Sequence, residues 1–71
     1  MENENILTGY VRRSHENTCL KLSINTDALA GCRTYVTSDG QSYIPLVINL
    51  NSLEQVLNGE RAVTTIIQQP E

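Results

Sequence analysis

Apolar residues in this chain recur mostly at every second position, the period of half-buried strands. Over residues 6–13 that period sets Leu7 and Val11 on one side, and over 18–24 it sets Leu20, Leu22 and Ile24 together. Residues 14–17, Ser-His-Glu-Asn, read as the turn between two strands. Pairing Arg13 with Thr18 brings Val11 to Leu20, Gly9 to Leu22, Leu7 to Ile24 and Tyr10 to Lys21. A slip of one residue would lay Val11 against Lys21, so the apolar pattern selects the register.

Residues 26–31, Thr-Asp-Ala-Leu-Ala-Gly, predict one capped turn of helix, with Thr26 or Asp27 as N-cap and Gly31 as the stop. A third strand follows over 33–37. Ser38-Asp39-Gly40 suits a three-residue hairpin loop with Gly40 left-handed, pairing Thr37 with Gln41, Tyr35 with Tyr43 and Thr34 with Ile44. A two-residue Asp39-Gly40 loop is the alternative. It would turn Arg33 onto the apolar side, where an unpaired guanidinium costs several kcal/mol. Residues 43–50 predict the clearest strand, with Ile44, Leu46, Ile48 and Leu50 facing one way, and Pro45 places it at an edge or bulge. Ser52, with Gln55 three residues on, predicts the start of a short helix that buries Leu53, Val56 and Leu57 and ends at Gly59. A last strand fills 61–69.

The expected fold is α+β: about five antiparallel strands in a twisted sheet or partly closed barrel, in the order β-β-β-β-α-β with a helical turn after the second strand. The domain spans residues 6–69, between a flexible N-terminal tail at 1–5 and a C-terminal tail at 70–71. At 71 residues the chain is near the size at which a core only just offsets chain entropy. A deep catalytic cleft is hard to build in so little protein. The chain is therefore expected to be a binding protein, with neither enzymatic activity nor a cofactor.

Charge changes this picture only once it is located. The formal net charge is −3, which opposes nucleic-acid binding. Yet Glu2, Glu4 and Glu71 fall in the expected tails, and within residues 6–50 the acids Glu16, Asp27 and Asp39 fall in turns or caps. The bases of that stretch, Arg12, Arg13, Lys21 and Arg33, lie on or beside strands. Assigning Leu and Ile positions to the core sends Tyr10, Arg12, Lys21, Arg33, Tyr35 and Tyr43 to the opposite face. Exposed tyrosines offer surfaces on which unstacked bases lie, and neighbouring cations neutralise phosphates. These six residues are the candidate nucleic-acid site, with single strands preferred. Tyrosine also favours strands with no ligand present, and Tyr–Tyr or Tyr–Lys cross-strand pairs stabilise hairpins on their own.

A protein partner is the alternative, including a homodimer. Clean alternation points Val47 and one of Ile66 or Ile67 away from the core, and a last strand at an open edge is a template for another chain. The two cysteines, Cys19 and Cys32, lack CxxC spacing and with His15 leave a zinc site one ligand short. Cys32 is expected in the core, Cys19 outward near Arg12, and His15 as an ordinary turn residue. No apolar run approaches the roughly 18 residues of a membrane span. The acidic, polar start is unlike a secretion signal, so the expected compartment is the cytoplasm and no membrane contact is expected.

Residues 35–55 contain a hairpin at Asp39-Gly40, a strand with Pro45 and a helix start at Leu53-Glu54-Gln55. This stretch resembles the end of coactivator-type single-stranded-DNA-binding proteins, which are dimers of a strand–strand–helix unit. The resemblance implies DNA binding and dimerisation. It covers less than a third of the chain, lacks the lysines that family uses, and is followed by an additional strand.

Overall fold

Along the chain run β1 (Ile6–Arg13), β2 (Leu20–Ile24), α1 (Thr26–Ala30), β3 (Tyr35–Val36), β4 (Ser42–Tyr43), α2 (Leu50–Leu57) and β5 (Thr64–Gln68), in the order the sequence predicts. The structure, a computed structural model, describes residues 5–69. Apart from Asn5, the tails expected at 1–5 and 70–71 lie outside the described residues.

β1 is the centre of a three-stranded antiparallel sheet, flanked by β2 and β5. Its register with β2 sets Val11 against Leu22, Gly9 against Ile24 and Arg12 against Lys21. This is two residues from the expected pairing, and the turn explains the shift. Ser14 N–H donates to Cys19 O at 2.8 Å, and Ser14 Oγ accepts from the amides of Thr18 and Cys19 at 3.0 and 3.3 Å. Asn17 adopts a left-handed φ of 61° to close the loop, a conformation Asn tolerates better than most residues. The two strands therefore join through a longer, side-chain-braced turn. A shift of two preserves which residues share a face, but Tyr10 meets Ser23 instead of Lys21.

β5 lies on the other side of β1, pairing Val11 with Thr64 and Gly9 with Ile66, then Leu7 with Ile67. Thr8 is the extra residue of a bulge between them. Its fully buried hydroxyl donates to Ile66 O at 2.8 Å. The bulge reverses parity at the start of the strand. Leu7, expected beside Val11 in the core, instead joins the face of Tyr10 and is 47% exposed.

Among the described residues, Val11, Ile66 and Val56 of α2 are the buried hydrophobic ones. α2 packs on β1 and β5, whereas all five residues of β2 are exposed. Leu20, Leu22 and Ile24 thus share the inner side only partly covered, at 36, 56 and 37% exposure.

The five strands do not form one sheet and do not close into a barrel. β3 and β4 make a separate two-stranded sheet, with Tyr35 opposite Tyr43 as the three-residue loop predicts. Thr37 N–H donates to Gln41 O at 2.8 Å, and Gly40 takes the left-handed φ of 87°. The long strand expected over 43–50 ends at Tyr43. Pro45 has no N–H with which to extend the ladder. The chain then pairs with the main sheet at a Val47–Ile67 bridge, each N–H donating to the other's carbonyl at 2.8 and 3.0 Å. This bridge covers the outer edge of β5 at Ile67. In the three-stranded sheet β2 is one edge and β5 the other, with β5 bridged on its outer side at Ile67 alone among the described residues.

Both helices begin at asparagines, not at the expected caps. Asn25 Oδ1 accepts from Ala28 N–H and Asn49 Oδ1 from Ser52 N–H, each at 2.9 Å. Asn, Ser and Asp cap about equally well, so residue type alone does not choose among them. Gly59, left-handed at φ 82°, follows α2 as expected.

In the hairpin loop Thr37 Oγ1 donates to the Asp39 carboxylate, which holds that carboxyl below its usual range. A depressed pKa means that any loop stability it adds is present above the ordinary carboxylate pKa and lost as pH falls through the lowered value. A carboxyl 13C titration is expected to find the Asp39 midpoint below the ordinary aspartate value of about 3.9; an equal or higher midpoint would remove the Thr37 contact from the account. Among the described residues no helix is long and apolar enough to cross a membrane.

Candidate nucleic-acid interface

Alternation along β1 and β2, together with the bulge at Thr8, assembles the sheet's outer face. It carries Leu7, Tyr10 and Arg12 from β1, Lys21 and Ser23 from β2, and Thr65 and Ile67 from β5. Arg12 and Lys21 are direct cross-strand partners. Like charges so placed repel, and neither cation forms an ion pair with a described residue. Tyr10, 47% exposed, stands two residues from Arg12, about 6.8 Å along the strand. Beside Tyr10 a cleft of about 290 Å³ opens between β1 and β2, lined by Leu7, Gly9, Ser23, Ile24 and Asn25 as well.

Tyr35 and Tyr43 come together on the separate hairpin. Their rings stack at 5.7 Å between centroids with a 28° interplanar angle, and both remain half-exposed. Arg33 sits where that hairpin joins the main sheet. Its Nη1 donates to Gln69 O at 2.6 Å, and its backbone N–H donates to Gln68 Oε1 at 2.9 Å. The six residues expected on one continuous plane therefore fall into three parts. Tyr10, Arg12 and Lys21 form a cluster, Tyr35 and Tyr43 form a stacked pair, and Arg33 is engaged at the junction. The physical reason is that no ladder joins β3–β4 to β2–β1–β5.

Three further ionisable groups lie close to the cluster. Arg13, His15 and Arg61 line a hollow at the β1–β2 turn together with Arg12. His15, expected to be an ordinary turn residue, thus has cationic neighbours, and Arg61 reaches them from beyond α2. The sequence carried no local sign of this, because the approach depends on how Gly59 redirects the chain after α2.

The thiols stay apart. Cys19 is exposed, while Cys32 is half-buried and donates from Sγ to Ala28 O at 3.4 Å. Among the described residues no three His, Cys, Asp or Glu side chains gather as a metal site. Comparison with known proteins gives no match to a family model, a curated protein or a solved structure.

Proposed function

We propose that this chain is a small, non-enzymatic binding module that takes a single strand of nucleic acid on the outer face of its three-stranded sheet. The Arg12–Lys21 cross-strand pair carries this reading: two adjacent cations, without carboxylate partners among the described residues, one pleat from an exposed tyrosine. An anion between them would relieve their repulsion. Tyr10 and its cleft supply a surface for the attached base, as in other sheets that bind single strands. Tyr35 and Tyr43 are a second aromatic surface, on the hairpin.

Labelled oligothymidylate titrated at low salt tests the proposal. Tyr10→Ala is expected to weaken binding about 10–100-fold, the worth of one stacked base. Arg12→Gln is expected to lower the dependence of log affinity on log salt by about one unit. Absence of binding at millimolar protein, or indifference to both substitutions, would sink it.

A second reading has its own support. β2 is an edge strand whose Leu20, Leu22 and Ile24 are left partly exposed on the inner side. A protein partner, or a second copy of the chain, laid along β2 would pair its open backbone and cover that row. Sedimentation separates the cases: a dimer or hetero-complex that Leu22→Asp dissociates supports it, and a monomer at all concentrations removes the dimer.

A further inference from the structure

We propose that the hollow at the β1–β2 turn is a phosphate-binding site, built by Arg12, Arg13, His15 and Arg61; it deepens the strand-binding proposal by giving the strand's phosphate a specific seat. β1 runs two residues beyond its last β5 partner, Val11 opposite Thr64, so the backbone of Arg12 and Arg13 borders a gap on the β5 side. The chain leaving α2 returns across that gap. Gly59, at φ 82°, turns it, and the amides of Glu60 and Arg61 both donate to Gln55 O at 2.8 and 3.1 Å. The resulting hollow is about 360 Å³, larger than a phosphate group and able to hold one with its water.

Two of its guanidinium groups are held by the protein. Arg61 Nε donates to Gln55 Oε1 at 3.0 Å, and neither Nη has a partner among the described residues. Arg13 Nη1 reaches Leu57 O at 3.5 Å, while its Nη2 packs so near Gly59 that a Cβ there would stand 3.4 Å away. The turn carrying His15 and Asn17 is braced by the buried hydroxyl of Ser14. Three guanidinium groups, an imidazole and a side-chain amide thus line one hollow, with no carboxylate in its wall. Three of the chain's five Lys and Arg residues are gathered there although its net charge is negative. Guanidinium forks match phosphate oxygens bidentately, and a phosphate offsets the mutual repulsion of the cations. Arg12 belongs both to this wall and to the face of Tyr10, so one strand can reach both.

NMR titration of the full chain with inorganic phosphate, with chloride at equal ionic strength as control, tests the site. Saturable shifts confined to residues 12–17 and 59–62, with a Kd on the order of millimolar, are expected. Arg61→Gln and Arg13→Gln should each weaken phosphate about tenfold, the usual worth of a charge-assisted hydrogen bond, with Arg61→Lys intermediate. Amide dispersion in the same spectra reports whether each variant is folded. Shifts that are diffuse, that fail to saturate, or that survive both Arg substitutions overturn the site. Phosphate saturation without oligothymidylate binding keeps the site and removes the strand. Oligothymidylate binding that depends on Tyr10 but not on Arg13 or Arg61 removes the site and keeps the strand.

Discussion

A Gly9→Ala protein is expected to melt about 15 °C below the parent, a loss of roughly 3 kcal/mol from a chain this small. Gly9 lies in the middle of the central strand, paired with Ile24 on one side and Ile66 on the other. A Cβ built there stands 2.1 Å from Ser23 O and 3.1 Å from Ile24 Cα. Both are backbone atoms of β2, so no rotamer change relieves the clash. The glycine is needed for space, not for an unusual φ. Relief requires β2 to move off β1, which pulls on the 2.7 Å bond from Asn25 N–H to Thr8 O and on the N-cap of α1 at the same residue. A domain of this size has roughly 4–10 kcal/mol of stability in total, so the loss is a large share of it. Thermal unfolding followed by circular dichroism measures the effect. A midpoint within about 3 °C of the parent would mean that β2 yields freely, and the close approach would then explain nothing.

The bulge beside Gly9 shows where a period-two pattern stops being informative. Alternation identifies β1, β2 and β5 and correctly separates Val11 from Tyr10 and Arg12. It cannot see Thr8, because a bulge adds a residue without altering the local apolar pattern. Leu7 therefore changes face. The β1–β2 register failed for a different reason: Arg13 opposite Thr18 and Arg13 opposite Leu20 put the same side chains on the same faces. Only the Ser14 hydroxyl, occupied by two turn amides, distinguishes them. At the hairpin the turn chemistry was decisive, since Gly40 in the left-handed region fixes Tyr35 against Tyr43. What that local rule could not supply is the relation of the hairpin to the sheet. The candidate site inherited this gap: its Tyr10, Arg12 and Lys21 part follows from alternation, whereas the approach of Arg61 to Arg13 depends on chain direction after α2.

The hairpin's attachment is a matter of one buried amide, and its removal is the second large effect. Gln68 is 2% exposed at the end of β5. Its Oε1 accepts from Arg33 N–H at 2.9 Å, and its Nε2 donates to Arg33 O at 2.9 Å and Pro45 O at 3.2 Å. The side chain thus copies the two-way exchange of a strand neighbour with Arg33. It also holds Pro45, so both arms of the hairpin are tied to β5 at one point. Gln68→Leu keeps much of the volume and strands three backbone groups, a cost of about 3 kcal/mol in all. Hydrogen exchange should show residues 33–45 losing protection first while β1, β2 and β5 keep theirs.

Gln68→Glu sharpens the test. An ionised carboxylate still accepts from Arg33 N–H, but it opposes the carbonyls of Arg33 and Pro45 that the amide had satisfied. Burial and those two oxygens raise the pKa of the introduced carboxyl above its unfolded value of about 4.3. Protonation restores one donor, so the folded state binds the proton more tightly than the unfolded chain does. Stability of this variant then rises as pH falls from about 7 towards 5, relative to a parent with no such group. Parallel urea denaturation of parent and variant across that range measures it. A difference that stays flat with pH, or amide exchange that weakens uniformly through the chain, would show that Gln68 is not the tether of the hairpin.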